Sequence, residues 1–258
     1  MSETVRYERD GHVATITYNR PEVLNAVNGD LRQELNAAWE RFRDDEDAWV
    51  AIITGAGRAF CVGADLRDGA GAVGTWPGSF WEIPTVNSFE SGLEVWKPTI
   101  AAVNGHCLGY GLTLASRCDF LIASDRAEFG MPEVRLGVPT MVGAMRLADR
   151  LRWADAMEML LTGERFGAEH AREIGLAWRV VSHDELLAEA RGLADRLCRG
   201  APLAARAIKE MAARGQTLPW VDAVRMGETM RRVAGATADA TEGITAALER
   251  REPRWSGR

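Results

Sequence analysis

Lysine is nearly missing from this chain. Of its 31 basic residues only Lys97 and Lys209 are lysines, which we read as compositional bias rather than chemistry. Cysteine is sparse: Cys61, Cys107, Cys118 and Cys198 have no paired close spacing. The four histidines, His12, His106, His170 and His183, do not cluster with them. A disulfide-stapled scaffold and a zinc finger or ribbon are therefore not expected, and no metal site is expected. No run approaches the ~18 apolar residues of a membrane span. Residues 1–10 are polar and lack the apolar core of a secretory signal. The expected compartment is the cytosol, with no membrane partner. A net positive charge is also lacking, since 31 Lys+Arg stand against 37 Asp+Glu. Phosphate backbones need a basic face, so nucleic acid is not an expected partner. The chain shows no internal repeat and no low-complexity segment.

What is present is ordinary globular composition over 258 residues, 47% hydrophobic and 26% charged. A chain of this length buries roughly three quarters of its unfolded surface, so its core needs no staple. His12 to Tyr18 alternates like a half-buried strand, and the spacing of Leu31, Leu35, Ala38 and Phe42 predicts a helix from Asn28 to about Glu46. Trp49–Thr54 and Thr99–Asn104 read as buried strands, each followed by a glycine turn. A helix is expected over about 80–96, ended by Pro98, then another from Tyr110 to Ser116 and a strand over 119–123. Strand, turn, helix and strand recur within a short span, which marks an α/β layer. From Met141 onward the pattern is almost entirely helical, broken at Gly163, Gly175, Gly200 and Gly215.

Two local motifs fail on context. Gly69-Ala-Gly-Ala-Val-Gly74 has the spacing of a dinucleotide-binding loop, but no buried strand precedes it and no helix follows. It reads as a loop, and a nicotinamide-dependent oxidoreductase would rest on it alone. Ser182-His-Asp184 cannot be a triad, because adjacent side chains point apart; a helix start capped by Ser182 is expected instead. The two glycine turns, Gly55-Ala-Gly57 and Gly105 to Gly109, each follow a buried strand and can present backbone N–H groups, the second where Gly109-Tyr110-Gly111 opens a helix. They fit an oxyanion hole, and equally a pair of packing turns. Glu133, between Pro132 and an apolar run, is either a partly buried acid with a raised pKa or a solvated loop residue.

Five ordered segments are more specific than any of these. They are Asn19-Arg-Pro-Glu-Val-Leu-Asn-Ala26, Ile53 to Leu66, Ile100 to Gly105 with Leu108-Gly109, Phe129-Gly-Met-Pro-Glu133 with Leu136-Gly137, and Leu161-Thr-Gly163. In these the chain resembles the enoyl-CoA hydratase/isomerase (crotonase) superfamily over nearly its whole length. The resemblance implies an α/β fold, a spiral of repeated ββα units over residues 1–200, with a C-terminal helical trimerisation region over 201–258. It implies self-association as a homotrimer or a dimer of trimers. It also implies an acyl-CoA substrate, an enolate intermediate and no further cofactor.

The resemblance places the two oxyanion donors on the N–H groups of Ala64 and Tyr110, and the acid/base on Glu133. Main chain at Ala64, Asp65, Leu66 and Arg67 would flank the CoA adenine, with further substrate contacts at Val23, Leu24 and Ala26. The departures concern the reaction. Position 113 carries threonine where the hydratases carry a second glutamate. A hydroxyl cannot serve as a general base at neutral pH, but it can orient water; Thr113 can equally be a helix residue bonding back to its own turn. Tyr110 replaces a common glycine, Met141 replaces the aspartate of the diene isomerases and dehalogenases, and Ala247 replaces a common aromatic. Trp76, Phe80, Trp81 and Phe89 fit either a bulky acyl pocket, with Trp81 as a substrate contact, or core packing. The expected activity is enoyl-CoA hydratase-like with a single glutamate. The alternatives are Δ3–Δ2 enoyl-CoA isomerisation, a hydratase-lyase on an aromatic enoyl-CoA, and a non-catalytic acyl-CoA binder.

Overall fold

The computed structural model of the chain describes residues 3–68 and 88–258. Chain order is β1 (Val5–Asp10), β2 (Val13–Tyr18), α1 (Gly29–Asp44), β3 (Val50–Gly55), β4 (Ala59–Cys61), β5 (Thr99–Val103), β6 (His106–Leu108), α2 (Tyr110–Ala115), β7 (Phe120–Ser124) and β8 (Glu128–Gly130). Then come α3 (Val142–Arg150), α4 (Trp153–Thr162), β9 (Arg165–Gly167), α5 (Ala168–Glu173), β10 (Arg179–Val181), α6 (Leu186–Cys198), α7 (Pro202–Gly215), α8 (Trp220–Gly235) and α9 (Ala238–Glu249). Among the described residues no helix is long and apolar enough to cross a membrane.

The strands form two sheets. The larger has the order β1-β2-β3-β5-β7-β10 and the smaller β4-β6-β8-β9. Each turn of the chain lays one strand in the larger sheet, rounds a corner, and lays a short strand in the smaller one. Beyond the β1–β2 hairpin the larger sheet is parallel, as crossover connections demand. This is the spiral the sequence leads one to expect. Both faces are covered, so β5 is buried at all five positions and β3 is nearly as dry. α1 starts where Asn28 Oδ1 accepts from Leu31 N at 3.0 Å. Its inward face, Leu31, Leu35, Trp39 and Phe42, is fully buried.

Three expectations need correction. The helix expected over 80–96 is absent from its described part: residues 88–96 form turns, and Phe89 is a core residue stacked on Trp39 with ring centroids 3.8 Å apart. The region after Met141 is interrupted by β9 and β10, strands of three residues each, too short to impose a period-two pattern. Ser182 does sit at the N-cap position, but its hydroxyl donates to Glu185 Oε2 at 2.6 Å rather than accepting from the backbone. Trp76, Phe80, Trp81 and the glycine motif at 69–74 lie outside the described residues.

Candidate active site

β4, β6 and β8 are adjacent and parallel in the smaller sheet. Their C-terminal ends deliver Ala64, Tyr110 and Glu133 to one neighbourhood. After β4 the chain turns at Gly63, whose φ of 101° suits only glycine. Val27 then pairs with Ala64 as an isolated parallel bridge: Val27 N donates to Gly63 O at 2.8 Å and Asp65 N donates to Val27 O at 2.9 Å. Such a bridge uses the groups on either side of Ala64, so Ala64's own N–H faces away from Val27.

After β6, Gly109 takes φ 53° and ψ −120° and α2 begins at Tyr110. The first intrahelical bond is Thr113 N to Gly109 O at 2.9 Å, so the Tyr110 amide has no partner inside the helix. Gly111 lets this turn close on β4, because a β-carbon there would meet Cys61 Cβ at 2.8 Å. A β-carbon on Gly63 would lie 3.7 Å from the Tyr110 nitrogen. The two candidate donors thus come from separate turns that touch.

Glu133 sits in a single 3-10 turn, Pro132–Leu136, with Val138 N donating to its carbonyl at 3.2 Å. Its carboxylate lies against the bare α-carbon of Gly109. A β-carbon there would stand 2.7 Å from Glu133 Oε1 and 3.7 Å from Oε2. Oε2 is buried and, among the described residues, has no hydrogen-bond partner. Burial raises the pKa of the group, opposed weakly by its own backbone N–H. Of the two readings of Glu133 left open by the sequence, this is the partly buried acid.

Thr113 is 5% exposed on α2. It follows Gly109 by four residues and so shares its helix face with the Glu133 carboxylate. Its hydroxyl does not bond back to its own turn but faces Gly143 at the start of α3. Tyr110 turns its ring toward the core, with the Arg32 guanidinium 4.9 Å from the ring centre. Its hydroxyl is buried beside the Glu90 carboxyl without a well-aligned hydrogen bond. Burial first, then the Glu90 charge, pushes its pKa far up, so the phenol stays neutral.

The segment 20–26 joins this site from β2. Arg20 Nη1 pairs with Asp65 Oδ2 at 3.1 Å and also donates to the Ala26 carbonyl. Asn25 is fully buried; its amide donates to Ala56 O at 3.0 Å and Ala59 O at 2.8 Å and accepts from Arg20 N at 2.9 Å. These bonds hold Leu24 and Asn25 at φ 56° and 58°, a conformation side chains disfavour. Val23 and Leu24 are half-buried and Ala26 is buried. Asp65 is half-buried, while Leu66 and Arg67 are exposed, Leu66 at 67%. The segment expected to flank adenine and the one expected to make further substrate contacts are therefore joined. Sequence reasoning quoted Arg20 and Asn25 only within a motif and gave no signal for Gly143. Among the described residues no group of three or more His, Cys, Asp and Glu side chains is placed to hold a metal ion.

Residues 8–258 match the enoyl-CoA hydratase/isomerase family. The chain belongs to that family. It is 39% identical over 260 residues to a probable enoyl-CoA hydratase of Mycobacterium tuberculosis, covering 99% of each chain. It is 39% identical over 265 residues to a carnitinyl-CoA dehydratase of Proteus mirabilis, covering both in full. An enoyl-CoA hydratase/isomerase from Mycobacterium paratuberculosis superposes with a TM-score of 0.87 at 38% identity, over 99% of each chain. The family resemblance read from the five segments is thereby borne out, as is the reading of the chain as an enzyme of this family.

Proposed function

We propose that the protein adds water to, or removes it from, an acyl-CoA thioester by way of an enolate. The observation that carries this reading is the Glu133 carboxylate, seated on the α-carbon of Gly109 where the turns that bear the Ala64 and Tyr110 amides touch. The thioester oxygen would accept from the N–H groups of Ala64 and Tyr110. Negative charge gathers on that oxygen only as the enolate forms, so the donors favour the transition state over the ground state. Glu133 takes and returns the proton at Cα. A carboxyl raised by burial suits a group that must do both near neutral pH. The adenosine end of CoA would lie between Val23, Leu24 and Ala26 on one side and Ala64 to Arg67 on the other, with the Arg20–Asp65 pair holding the two sides together.

The names of the relatives support water chemistry, because hydratases and dehydratases run one bond change in opposite directions. The steps use only water, the thioester and the chain's own groups. We further propose self-association through residues 201–258, as the homotrimer or paired trimers that the family resemblance implies. The exposed Trp220, Val233, Ile244 and Leu248 of α8 and α9 support association of this region.

The test is crotonyl-CoA in heavy water, with products read by mass spectrometry. One added water with deuterium at Cα is expected, and Glu133→Gln should slow it by about 10³. A deuterated isomer without added water would replace hydration by isomerisation. Tight binding without exchange would leave an acyl-CoA binder.

A further inference from the structure

The larger sheet carries a cavity that the thioester reading does not use. Strands β3, β5, β7 and β10 are neighbours in that sheet and run parallel. The chain leaving their C-terminal ends lines a cavity of about 420 Å³ with Gly57, Arg58, Asn104, Gly105, Arg126 and His183. Ligands of open parallel sheets bind in the crevice beyond the carboxyl ends of the strands. Ala64, Tyr110 and Glu133 lie elsewhere. They follow the C-terminal ends of β4, β6 and β8, whereas Arg58, Gly105 and Arg126 precede the same three strands. The two places are therefore at opposite ends of the smaller sheet.

No acidic side chain lines the cavity, although Asp125 and Asp184 stand next to it in sequence. Asp125 instead accepts from Ser124 Oγ at 3.2 Å. Among the described residues the Arg58 and Arg126 guanidiniums make no ion pair and no hydrogen bond. The backbone beneath them is fixed. Asn104 donates from Nδ2 to Gly57 O at 2.9 Å and accepts at Oδ1 from Gly55 N at 3.2 Å, which pins the turn that carries Arg58. A β-carbon on Gly105 would collide with the Arg58 carbonyl, so the two turns close on each other only through glycine. Buried Ser124 ties the other side: its Oγ accepts from Arg126 N at 3.1 Å and lies 3.2 Å from His183 Nδ1. Among the described residues Nε2 of that ring has no partner.

We propose that this cavity binds the phosphate group of a small phosphomonoester, apart from the acyl-CoA site. Each guanidinium offers a planar fork of N–H donors that matches phosphate oxygens two at a time. Two positive charges balance one dianion, whereas a single carboxylate would leave one of them uncompensated. His183 Nε2 supplies a third contact, to a phosphate oxygen or to its proton. The volume falls within the range of small-molecule sites, about 300–1,000 Å³, so the phosphate would be held with an organic body attached. No bond is made or broken there.

Calorimetric titration of the full chain with phenyl phosphate tests this. One molecule per chain should bind with a Kd below about 1 mM, tighter than inorganic phosphate or malonate. The same affinity should be found with CoA at saturation, because the thioester site is separate. Arg58→Gln and Arg126→Gln should each weaken phenyl phosphate at least about tenfold and leave the Kd for CoA within about twofold. Arg126→Lys should fall between parent and glutamine variant, since it keeps the charge and loses the fork. Both side chains are exposed, so the variants should keep the far-UV circular dichroism of the parent. No binding at about 10 mM phenyl phosphate overturns the proposal. Displacement by CoA, or a parallel loss of CoA affinity in the variants, also overturns it, because the cavity would then be part of the CoA site. Malonate binding as tightly as phenyl phosphate overturns the choice of phosphate, and inorganic phosphate doing so overturns the organic body.

Discussion

The spiral core and the C-terminal helices use similar amphipathic sequences in opposite ways. In the core, α1 turns Leu31, Leu35, Trp39 and Phe42 inward and buries all four completely. In α8, no residue is buried, although the helix carries Trp220, Val221, Val224 and Val233. Trp220 is 80% exposed, and Leu248 of α9 equally so. The outer surface of α8 is laced by Glu228, which pairs with Arg231 and Arg232 at 2.8 Å each. Exposed pairs of this kind contribute little, because solvent screens them and ordering the side chains costs entropy. The core therefore holds itself together, while the helical region has apolar surface that the described residues do not cover. Several points fasten the region to the core: Lys209 Nζ pairs with Asp119 Oδ2 at 2.7 Å, Arg214 Nη2 with Glu94 Oε1 at 2.7 Å, and Trp255 Nε1 donates to Arg199 O at 2.7 Å, while buried Asp239 holds the tail against α9, accepting from Ser256 N at 2.7 Å and Gly257 N at 2.9 Å. An apolar stripe thus reports a buried face, but not whether the same chain buries it.

The sharpest way to break this contrast is to charge the uncovered face. Val233→Arg with Leu248→Arg should dissociate the assembly, because each buried Val or Leu side chain contributes about 1.5–3 kcal/mol. Sedimentation should show a monomer whose far-UV circular dichroism matches the parent. A parent that is already monomeric, or an unchanged mass, would remove the distinction between the two regions.

A smaller effect separates the site from assembly. Gly109→Ala puts a methyl group 2.7 Å from Glu133 Oε1 and forces a side chain onto φ 53°. It should displace the carboxylate and the Tyr110 amide together. A fall in kcat/KM of about 10² is expected, comparable to loss of one oxyanion donor, with the sedimentation of the assembly unchanged. Full activity would show that the carboxylate does not need its seat on Gly109.

These two regions also differ in how far the sequence could be read. The spiral was legible because its strands are short apolar runs closed by glycine turns, and because Glu133 and Gly109 stand in ordered segments of a family pattern. β1 escaped notice, since its outer residues Arg6, Glu8, Arg9 and Asp10 hide the alternation of an edge strand. The helix expected over 80–96 failed because Phe89 and Trp39 satisfy their burial across the chain, and periodicity cannot distinguish that from a helical stripe. Gly143 carried no signal at all. Its meeting with Thr113 depends on how α3 lies against α2, and that packing has no local cause in either segment.

The smallest predicted effect turns the site against the stability of the core that holds it. Burial raises the Glu133 pKa above its ordinary value of 4.5. The folded chain then binds that proton more tightly than the unfolded chain. Between the two pKa values folding gains protons, so stability falls as pH rises, and above the folded value the full cost of the buried charge is in place. Glu133→Gln keeps the shape and removes the charge. At neutral pH this variant should melt slightly higher than the parent, by at most about 3 °C for a chain of this size. The gap should close as the pH is lowered toward 4.5, because the parent then carries a neutral carboxyl in the same place. Differential scanning calorimetry across that range checks both the sign and the closure. A variant that melts lower at neutral pH would mean that the ionised carboxylate is held by a favourable contact, and Glu133 would then be a stabilising residue of the core rather than one kept at a cost for proton transfer.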